Sequence, residues 1–327
     1  MTEERKQEIL EIIRNTNRRP AQTGKPLYPE EIMAYPNLCE EMESISRTVD
    51  GFSYRMDILR AKNRGENCPL FINIHGGGFI GSLWPEEDKM IRKVLEQFPS
   101  NNIIVLPQTL YFTEEDRKII DIYRELVDNC SNIKICVREK YSYEFALQNG
   151  INNVLLVPDM VTYITKDDLG ITTPITRIKN KIIFCLRSDK EKNVSDQSIE
   201  KIKKYLKNKN IYYIDTFENR TVYPVNRKRN LRKKLLEFSD SEAVITDRLH
   251  GMVFAAIMNT PCMVLTNCNY KIKGVYEWIS NNSFIHFVDE EKDIYYVLEL
   301  LKENTDCSYN NKTVRESFEP LIKLLGD

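Results

Sequence analysis

The chain lacks a large excess of charge of either sign. Its 47 Lys and Arg residues are balanced by 48 Asp and Glu residues, which leaves a formal net charge of -1 over 327 residues. A global basic field that would attract nucleic acid is therefore absent, and nucleic acid is not an expected partner. Any site that binds an anion must be formed locally.

The chain also lacks the cysteine patterns and hydrophobic runs that define other classes of protein. Its eight cysteines are scattered with no Cys-x-x-Cys pair, which argues against a zinc site or a disulfide framework. Cys136, Cys185 and Cys262 lie in apolar, strand-like runs and are predicted to be small buried hydrophobes. No run of about 18 apolar residues occurs, so neither a signal peptide nor a spanning helix is expected. We expect a cytoplasmic protein without a metal.

From residue 70 onward, short β-rich runs alternate with amphipathic helical stretches. This alternation is typical of parallel sheets covered by helices and predicts the α/β class. The predicted strands are Leu70–His75, Ile103–Pro107, Ile133–Val137, Val154–Val157, Lys181–Leu186, Ile211–Ile214, Ala243–Thr246 and Pro261–Leu265. The predicted helices are Glu86–Phe98, Tyr141–Asn149, Ser195–Asn208 and Asn230–Ser239.

The polar segment Thr165–Lys181 has the composition of turns and no sustained periodicity, so we place a domain boundary within it. The boundary gives a first Rossmann-like domain at residues 71–175 and a second at residues 176–327. Residues 1–70 form an atypical N-terminal segment. It contains a predicted helix, Glu3–Asn15, and a predicted hairpin with strands Ser44–Val49 and Tyr54–Arg60.

The segment Ile245–Ile257 has the layout of an anion site, because a β-branched strand leads through Arg248, His250 and Gly251 into an apolar helix. Amides at a helix N-terminus carry partial positive charge, and a guanidinium group suits carboxylate or phosphate. An imidazole titrates near neutrality and is the best candidate to move protons. In the structural alternative, Arg248 pairs with an acid such as Asp247 and His250 caps the helix.

Several short blocks, in the same order, resemble the polysaccharide pyruvyl transferase family over roughly residues 75–270. They are Gly76–Gly78 with Leu83-Trp84, Asn102–Thr109, Val137–Tyr143, Val157–Met160, Leu186–Glu191, and Thr246–Gly251 with Asn259-Thr260-Pro261. The resemblance implies two Rossmann-like domains in a glycosyltransferase-B-type arrangement with a cleft between them. It also implies transfer of pyruvate from phosphoenolpyruvate to a pair of saccharide hydroxyls. The product would be a ketal in exopolysaccharide or cell-wall polymer biosynthesis.

Three arginines are the predicted clamps for the phosphate and carboxylate of the donor: Arg138, Arg187 and Arg248. Each lies just after a predicted strand, where ligands of doubly wound sheets bind. For Arg138 the alternative is an ion pair with Glu139 or Glu144. For Arg187 the alternative is a solvated charge cluster, because Asp189 and Glu191 follow it.

The remaining predicted site residues supply catalysis and backbone contacts. His250 is the predicted general acid, and Asp159 either orients a sugar hydroxyl or caps the next turn. The predicted substrate-binding set also includes Gly76, Gly77, Gly78, Leu249 and Gly251, although the glycines alternatively form a tight turn without a ligand. No cofactor is expected beyond phosphoenolpyruvate as the donor substrate.

The N-terminal quarter departs from the family resemblance. Family members typically carry an Asn-x-Gly-Asp loop near the N-terminus, and this chain has none. The run ending in His75-Gly76-Gly77-Gly78 instead resembles the start of an α/β-hydrolase esterase. No Gly-x-Ser-x-Gly elbow follows it, so serine hydrolysis is not expected. A third hypothesis is a catalytically inactive relative that binds sugar or phosphate without turnover.

A basic run at Asn226–Lys234 is predicted to be a solvated helix face. In the alternative, it approaches a phospholipid surface or a lipid-linked acceptor. The family resemblance implies phosphoenolpyruvate and a saccharide or lipid-linked saccharide as partners, and the basic run adds an expected peripheral contact at the inner membrane face. Of the other histidines, His75 is predicted to pack in a turn and His286 to lie in a strand.

Overall fold

The structure is a computed structural model of the chain. It describes residues 39–49, 52–61, 70–73, 78–99, 102–172, 176–189, 191–216, 224–303 and 307–326. The predicted helix Glu3–Asn15 and the residues His75, Gly76 and Gly77 lie outside these ranges. None of the helices within them is long and apolar enough to span a bilayer.

The first unit is built on a mixed sheet. Its strands are β1 (Cys39–Val49), β2 (Phe52–Ala61), β3 (Leu70–Asn73), β4 (Ile80–Gly81), β5 (Ile103–Gln108), β6 (Leu110–Tyr111), β7 (Ile133–Val137) and β8 (Val154–Leu156). Its helices are α1 (Pro85–Gln97), α2 (Arg117–Asn129) and α3 (Lys140–Gln148), with short 3-10 helices at Glu114–Asp116 and Met160–Tyr163. The main sheet has the order β1-β2-β3-β5-β7-β8, and β4 pairs with β6 separately. Strands β3, β5, β7 and β8 are parallel.

The second unit is built on a parallel sheet. Its strands are β9 (Lys181–Cys185), β10 (Asn210–Tyr213), β11 (Ala243–Thr246), β12 (Cys262–Leu265) and β13 (Ile285–Val288), in the order β10-β9-β11-β12-β13. Its helices are α4 (Asp196–Tyr205), α5 (Pro224–Ser239), α6 (Leu249–Ile257), α7 (Lys271–Ile279), α8 (Ile294–Glu303), α9 (Lys312–Glu316) and α10 (Glu319–Gly326), with a 3-10 helix at Glu291–Asp293.

The α/β class with two Rossmann-like units is confirmed, and all eight predicted strands are present. The predicted hairpin is also confirmed: β1 and β2 pair antiparallel, with Ser44 opposite Asp57 and Val49 opposite Phe52. The hairpin joins the first sheet because β2 pairs with β3. His286 lies in β13, as predicted.

One buried apolar cluster extends through both units. Ile104 and Cys136 of the first sheet belong to the same cluster as Met252 of α6, Ile272 of α7 and Val314 of α9. Burial of apolar area is the dominant favourable term in folding, so this cluster holds the two units together. The thiols of Cys136, Cys185 and Cys262 are fully buried, which confirms their prediction as small hydrophobes.

Candidate active site

Arg138 follows β7 and is almost completely buried, with 1% of its surface exposed. Its Nε donates to Thr109 Oγ1 at 2.9 Å, and its Nη1 donates to Asp159 Oδ2 at 2.8 Å. Among the described residues, Arg138 Nη2 has no hydrogen-bond partner. A buried donor without an acceptor costs free energy, so an incoming anion would satisfy this nitrogen.

Asp159 lies just beyond β8 and contacts both units. Its Oδ1 accepts from the backbone N–H of Val161 at 3.0 Å and lies 4.0 Å from His250 Nε2. Asp159 therefore caps the 3-10 helix Met160–Tyr163, which is one of its two predicted roles. Although burial acts to raise the pKa of Asp159, Arg138 and His250 lower it below its usual value. The carboxylate is ionised at neutral pH.

His250 lies in the first turn of α6, where the second sheet meets Asp159 of the first unit. Burial lowers the pKa of His250, and Arg138 and Lys271 act in the same direction, while Asp159 opposes them. The free protein therefore holds a neutral imidazole at neutral pH. The structure brings three predicted residues together across the two units: Arg138, Asp159 and His250.

Arg248 precedes α6 and occupies its N-cap position. Its Nη2 donates to Asp215 Oδ2 at 2.6 Å, whereas its buried Nε has no acceptor among the described residues. The ion-pair alternative named Asp247 as a partner, but the acids that Arg248 contacts are Asp215 and, at 4.0 Å, Asp189. Asp247 instead accepts from the backbone N–H of Arg187 at 2.8 Å. Arg248 thus combines a structural contact with one unused donor.

Arg187 follows β9, and all its guanidinium nitrogens contact acids. Nε and Nη2 donate to the two oxygens of Asp189 at 2.9 and 2.8 Å, and Nη1 lies 2.7 Å from Glu191. These contacts form the cluster of charges that was the alternative prediction for Arg187. That cluster was expected to be solvated, but the Arg187 side chain is only 10% exposed. In this arrangement Arg187 orders the acids of the site, and each of its three nitrogens already contacts a carboxylate.

The other predicted binding residues contribute backbone or packing. The side chain of Leu249 is buried in the shared apolar cluster. A Cβ at Gly251 would overlap Thr246 Oγ1, so this glycine lets α6 approach β11 closely. Gly78 packs beside Thr109, whose hydroxyl holds Arg138.

Two buried groups were missed by the sequence prediction. Lys271, at the start of α7, donates to Glu191, which also accepts from Trp84 Nε1 of the first unit at 3.2 Å. Glu191 ended one of the blocks that resemble the family but was assigned no role in the site, and Lys271 lies in a helix outside the predicted set. Nothing local in the sequence marks Lys271, because its partner lies 80 residues away.

Glu139 is a third missed group, since it was considered only as a partner of Arg138. It is fully buried and accepts from Ser142 Oγ and from Thr109 Oγ1, the latter at 3.3 Å. Burial raises the pKa of Glu139 to about 7. The described part of the chain contains no cluster of three or more His, Cys, Asp or Glu residues placed to hold a metal ion.

The predicted basic face is present on α5. Lys228, Arg229, Arg232 and Lys233 are exposed there, which confirms the solvated helix face. Leu231 and Leu236 on the same helix are also exposed, at 39% and 38%.

Comparison with known proteins identifies the family of the chain. The model of the polysaccharide pyruvyl transferase family matches residues 34–269, and the chain belongs to that family. The match begins ahead of β1, so the hairpin and β3 lie within it. The resemblance of this segment to esterases is unsupported.

Individual relatives are distant. General stress protein 30 of Bacillus subtilis is 29% identical over 256 residues, covering 76% of this chain and 72% of the relative. Pyruvyl transferase 1 of Schizosaccharomyces pombe is 27% identical over 208 residues, covering 59% of this chain and 50% of the relative. Among solved structures, protein KP1_0663 of Klebsiella pneumoniae matches with a TM-score of 0.48 at 19% identity, covering 66% of this chain and 73% of that one.

Proposed function

We propose that this member of the family transfers pyruvate from phosphoenolpyruvate to two hydroxyls of a saccharide, forming a ketal and releasing phosphate. The pathway would be exopolysaccharide or cell-wall polymer synthesis. The proposal is supported chiefly by the cluster of Arg138, Asp159 and His250. Asp159 contacts both other residues, so the buried Arg138 Nη2, which has no acceptor among the described residues, and the titratable imidazole of His250 belong to one site.

The arrangement suits the chemistry of an enol phosphate. A proton adds to the methylene carbon of the donor and converts it to a methyl group. One saccharide hydroxyl then bonds to the central carbon, the bond from that carbon to the phosphate oxygen breaks, and the second hydroxyl closes the ketal. Two hydroxyl protons are released, which balance the proton taken up by carbon and one carried by phosphate. In this proposal, Arg138 Nη2 and Arg248 Nε bind the donor's anionic groups.

His250 supplies the proton in this mechanism, although its imidazole is neutral in the free protein. The negative charge of a bound donor would offset the positive fields of Arg138 and Lys271, which lower the pKa of His250. Donor binding would therefore favour the imidazolium form. Asp159 stays ionised and supports that form from 4.0 Å.

The test incubates purified protein with phosphoenolpyruvate and a panel of lipid-linked or aryl glycosides, with phosphate release and product mass as readouts. We expect His250→Gln to lower turnover by a factor on the order of 10² to 10⁴, the typical contribution of general acid catalysis. Arg248→Lys should weaken donor binding by about 1.5 to 3 kcal/mol, because it loses the planar fork. The matched control is His286→Gln in β13, which should behave like the parent.

Two outcomes contradict the proposal. If His250→Gln and Arg248→Lys bind and turn over like the parent, the site is elsewhere. If the parent binds phosphoenolpyruvate but yields no product with any glycoside, the hypothesis of an inactive binding relative takes precedence.

We infer that the acceptor is a saccharide or a lipid-linked saccharide. A lipid-linked acceptor would be bound at the membrane surface, where the exposed cations of α5 contact anionic lipid. The support is the surface of α5, which carries Arg229, Arg232 and Lys233 around the exposed Leu236.

A further inference from the structure

Lys271 is buried, which is rare for a lysine. It is 5% exposed at the first position of α7, and its Nζ donates to Glu191, which is 1% exposed. Glu191 also contacts Arg187 and Trp84, so its carboxylate is fixed from both units. Charged side chains are seldom buried unless paired, and a buried pair often stabilises less than apolar residues of the same volume. Stability alone therefore does not account for this pair.

Lys271 also lies on the helix that contacts the proposed donor site, because Trp278 Nε1 of α7 donates to the backbone carbonyl of Arg138 at 2.8 Å. Arg138 and Arg187 exert repulsive fields on it, and it in turn acts on His250. An ammonium has three N–H donors, and Glu191 is the side-chain acceptor found for Lys271 in the described residues. The other donors remain for an anion held beside Arg138 and His250.

We propose that Lys271 is a further donor-binding residue, which directs its ammonium at the anionic groups of phosphoenolpyruvate, and that Glu191 is its positioning residue. This inference rests on the proposed function. Glu191 fixes the direction of the side chain and favours the charged form. Arg187, whose nitrogens are all engaged, helps to fix Glu191 rather than the donor.

The inference predicts a specific dependence of donor affinity on pH. Burial lowers the pKa of Lys271 to about 8, with Arg187 and Arg138 acting in the same direction and Glu191 opposing them. Other titratable groups around it are His250, Cys268 and Glu139, which packs against Gly274 of the same helix. Lys271 is therefore charged at pH 7 and loses its proton as the pH rises through about 8. Affinity for the anionic donor should fall over that interval.

The experiment is calorimetric titration of the full chain with phosphoenolpyruvate from pH 6.5 to 9.5. We expect Lys271→Gln to weaken binding about tenfold to hundredfold at pH 7, the worth of one charge-assisted hydrogen bond, and to abolish the alkaline fall. Lys271→Arg should bind at pH 7 and keep its affinity above pH 8, because arginine stays charged. Glu191→Gln should move the fall to lower pH, since the carboxylate no longer raises the pKa of Lys271.

Two control variants separate this role from a structural one. Lys273 lies on the same helix, and its exposed side chain is paired to Asp289. Lys273→Gln should therefore match the parent in donor affinity and pH profile. Trp84→Phe removes the indole donor to Glu191 but leaves the Lys271 pair, so the pH profile should not move.

The outcomes distinguish this inference from the function on which it rests. If the parent does not bind phosphoenolpyruvate, both are overturned. If the parent binds it and Lys271→Gln binds equally well at pH 7, only the role of Lys271 is overturned. Should Lys271→Gln fail to fold, identical pH profiles for the parent and Lys271→Arg would likewise overturn it.

Discussion

At the scale of single residues, Glu139 shows how burial converts an acid into a pH-dependent structural group. Desolvation raises the pKa of its carboxyl to about 7, against the opposing effects of Arg138, Ser142 and Thr109. In the unfolded chain the same carboxyl titrates near its reference value of about 4.3. The folded protein therefore binds more protons than the unfolded chain between these two values.

We predict that the contribution of Glu139 to stability is fully present below pH 4 and is lost as the pH rises through 7. Glu139→Gln keeps a neutral hydrogen-bonding side chain, so it should not show this loss. The gap between the two pH profiles should approach about 3.5 kcal/mol by pH 8, because each tenfold change in proton affinity between the folded and unfolded chain contributes about 1.36 kcal/mol. Urea unfolding at a series of pH values measures it. Parallel profiles for parent and variant would show that Glu139 does not titrate as described.

At the scale of elements, the placement of α6 depends on Gly251. A Cβ at this position would overlap Thr246 Oγ1 and lie 3.1 Å from Thr246 Cβ and 3.3 Å from Cys185 Sγ. The hydroxyl of Thr246 cannot move freely, because it bonds to the carbonyl of Cys185 at 2.7 Å and to the amide of Arg248 at 3.0 Å. Any added side chain must displace the helix turn that carries His250.

Gly251→Ala should therefore destabilise the fold by about 1 to 3 kcal/mol, the usual cost of overpacking, and should also lower turnover. Gly170→Ala is the control, because Gly170 has a positive φ of 63° and nothing within 4 Å of its added Cβ. That variant should lose stability through backbone strain alone and keep its activity. Thermal unfolding together with phosphate release checks both variants. A fully active Gly251→Ala would mean that the turn tolerates displacement.

The elements also show which features the sequence could predict. Parallel strands covered on both faces appear as β-branched runs, so strands such as β7 and β11 were predicted at their observed bounds. The alternation of runs and helices then placed Arg138, Arg187 and Arg248 at strand ends. Their partners were not predictable, because contacts such as Trp84 with Glu191 join residues 107 positions apart.

At the scale of the whole molecule, the two units share one core and several polar contacts between α7 and the first unit. Trp278 Nε1 donates to the backbone carbonyl of Arg138 at 2.8 Å. Tyr141 donates to Glu277 at 3.0 Å across the same interface, but this bond is exposed. Because the apolar cluster is continuous, we expect unfolding of the described units in a single transition.

The two contacts at this interface form a matched pair for testing how the units are held. Trp278→Phe keeps an aromatic ring but leaves the Arg138 carbonyl without its donor, so the free energy of unfolding should fall by about 1 to 3 kcal/mol. Tyr141→Phe loses a bond that water replaces and should change stability by less than about 0.5 kcal/mol. Donor affinity should weaken only in Trp278→Phe, because that bond fixes the backbone of Arg138. Guanidinium unfolding and donor titration measure both effects. Equal losses in the two variants, or two separate unfolding transitions, would show that the interface is not the rigid support described for Arg138.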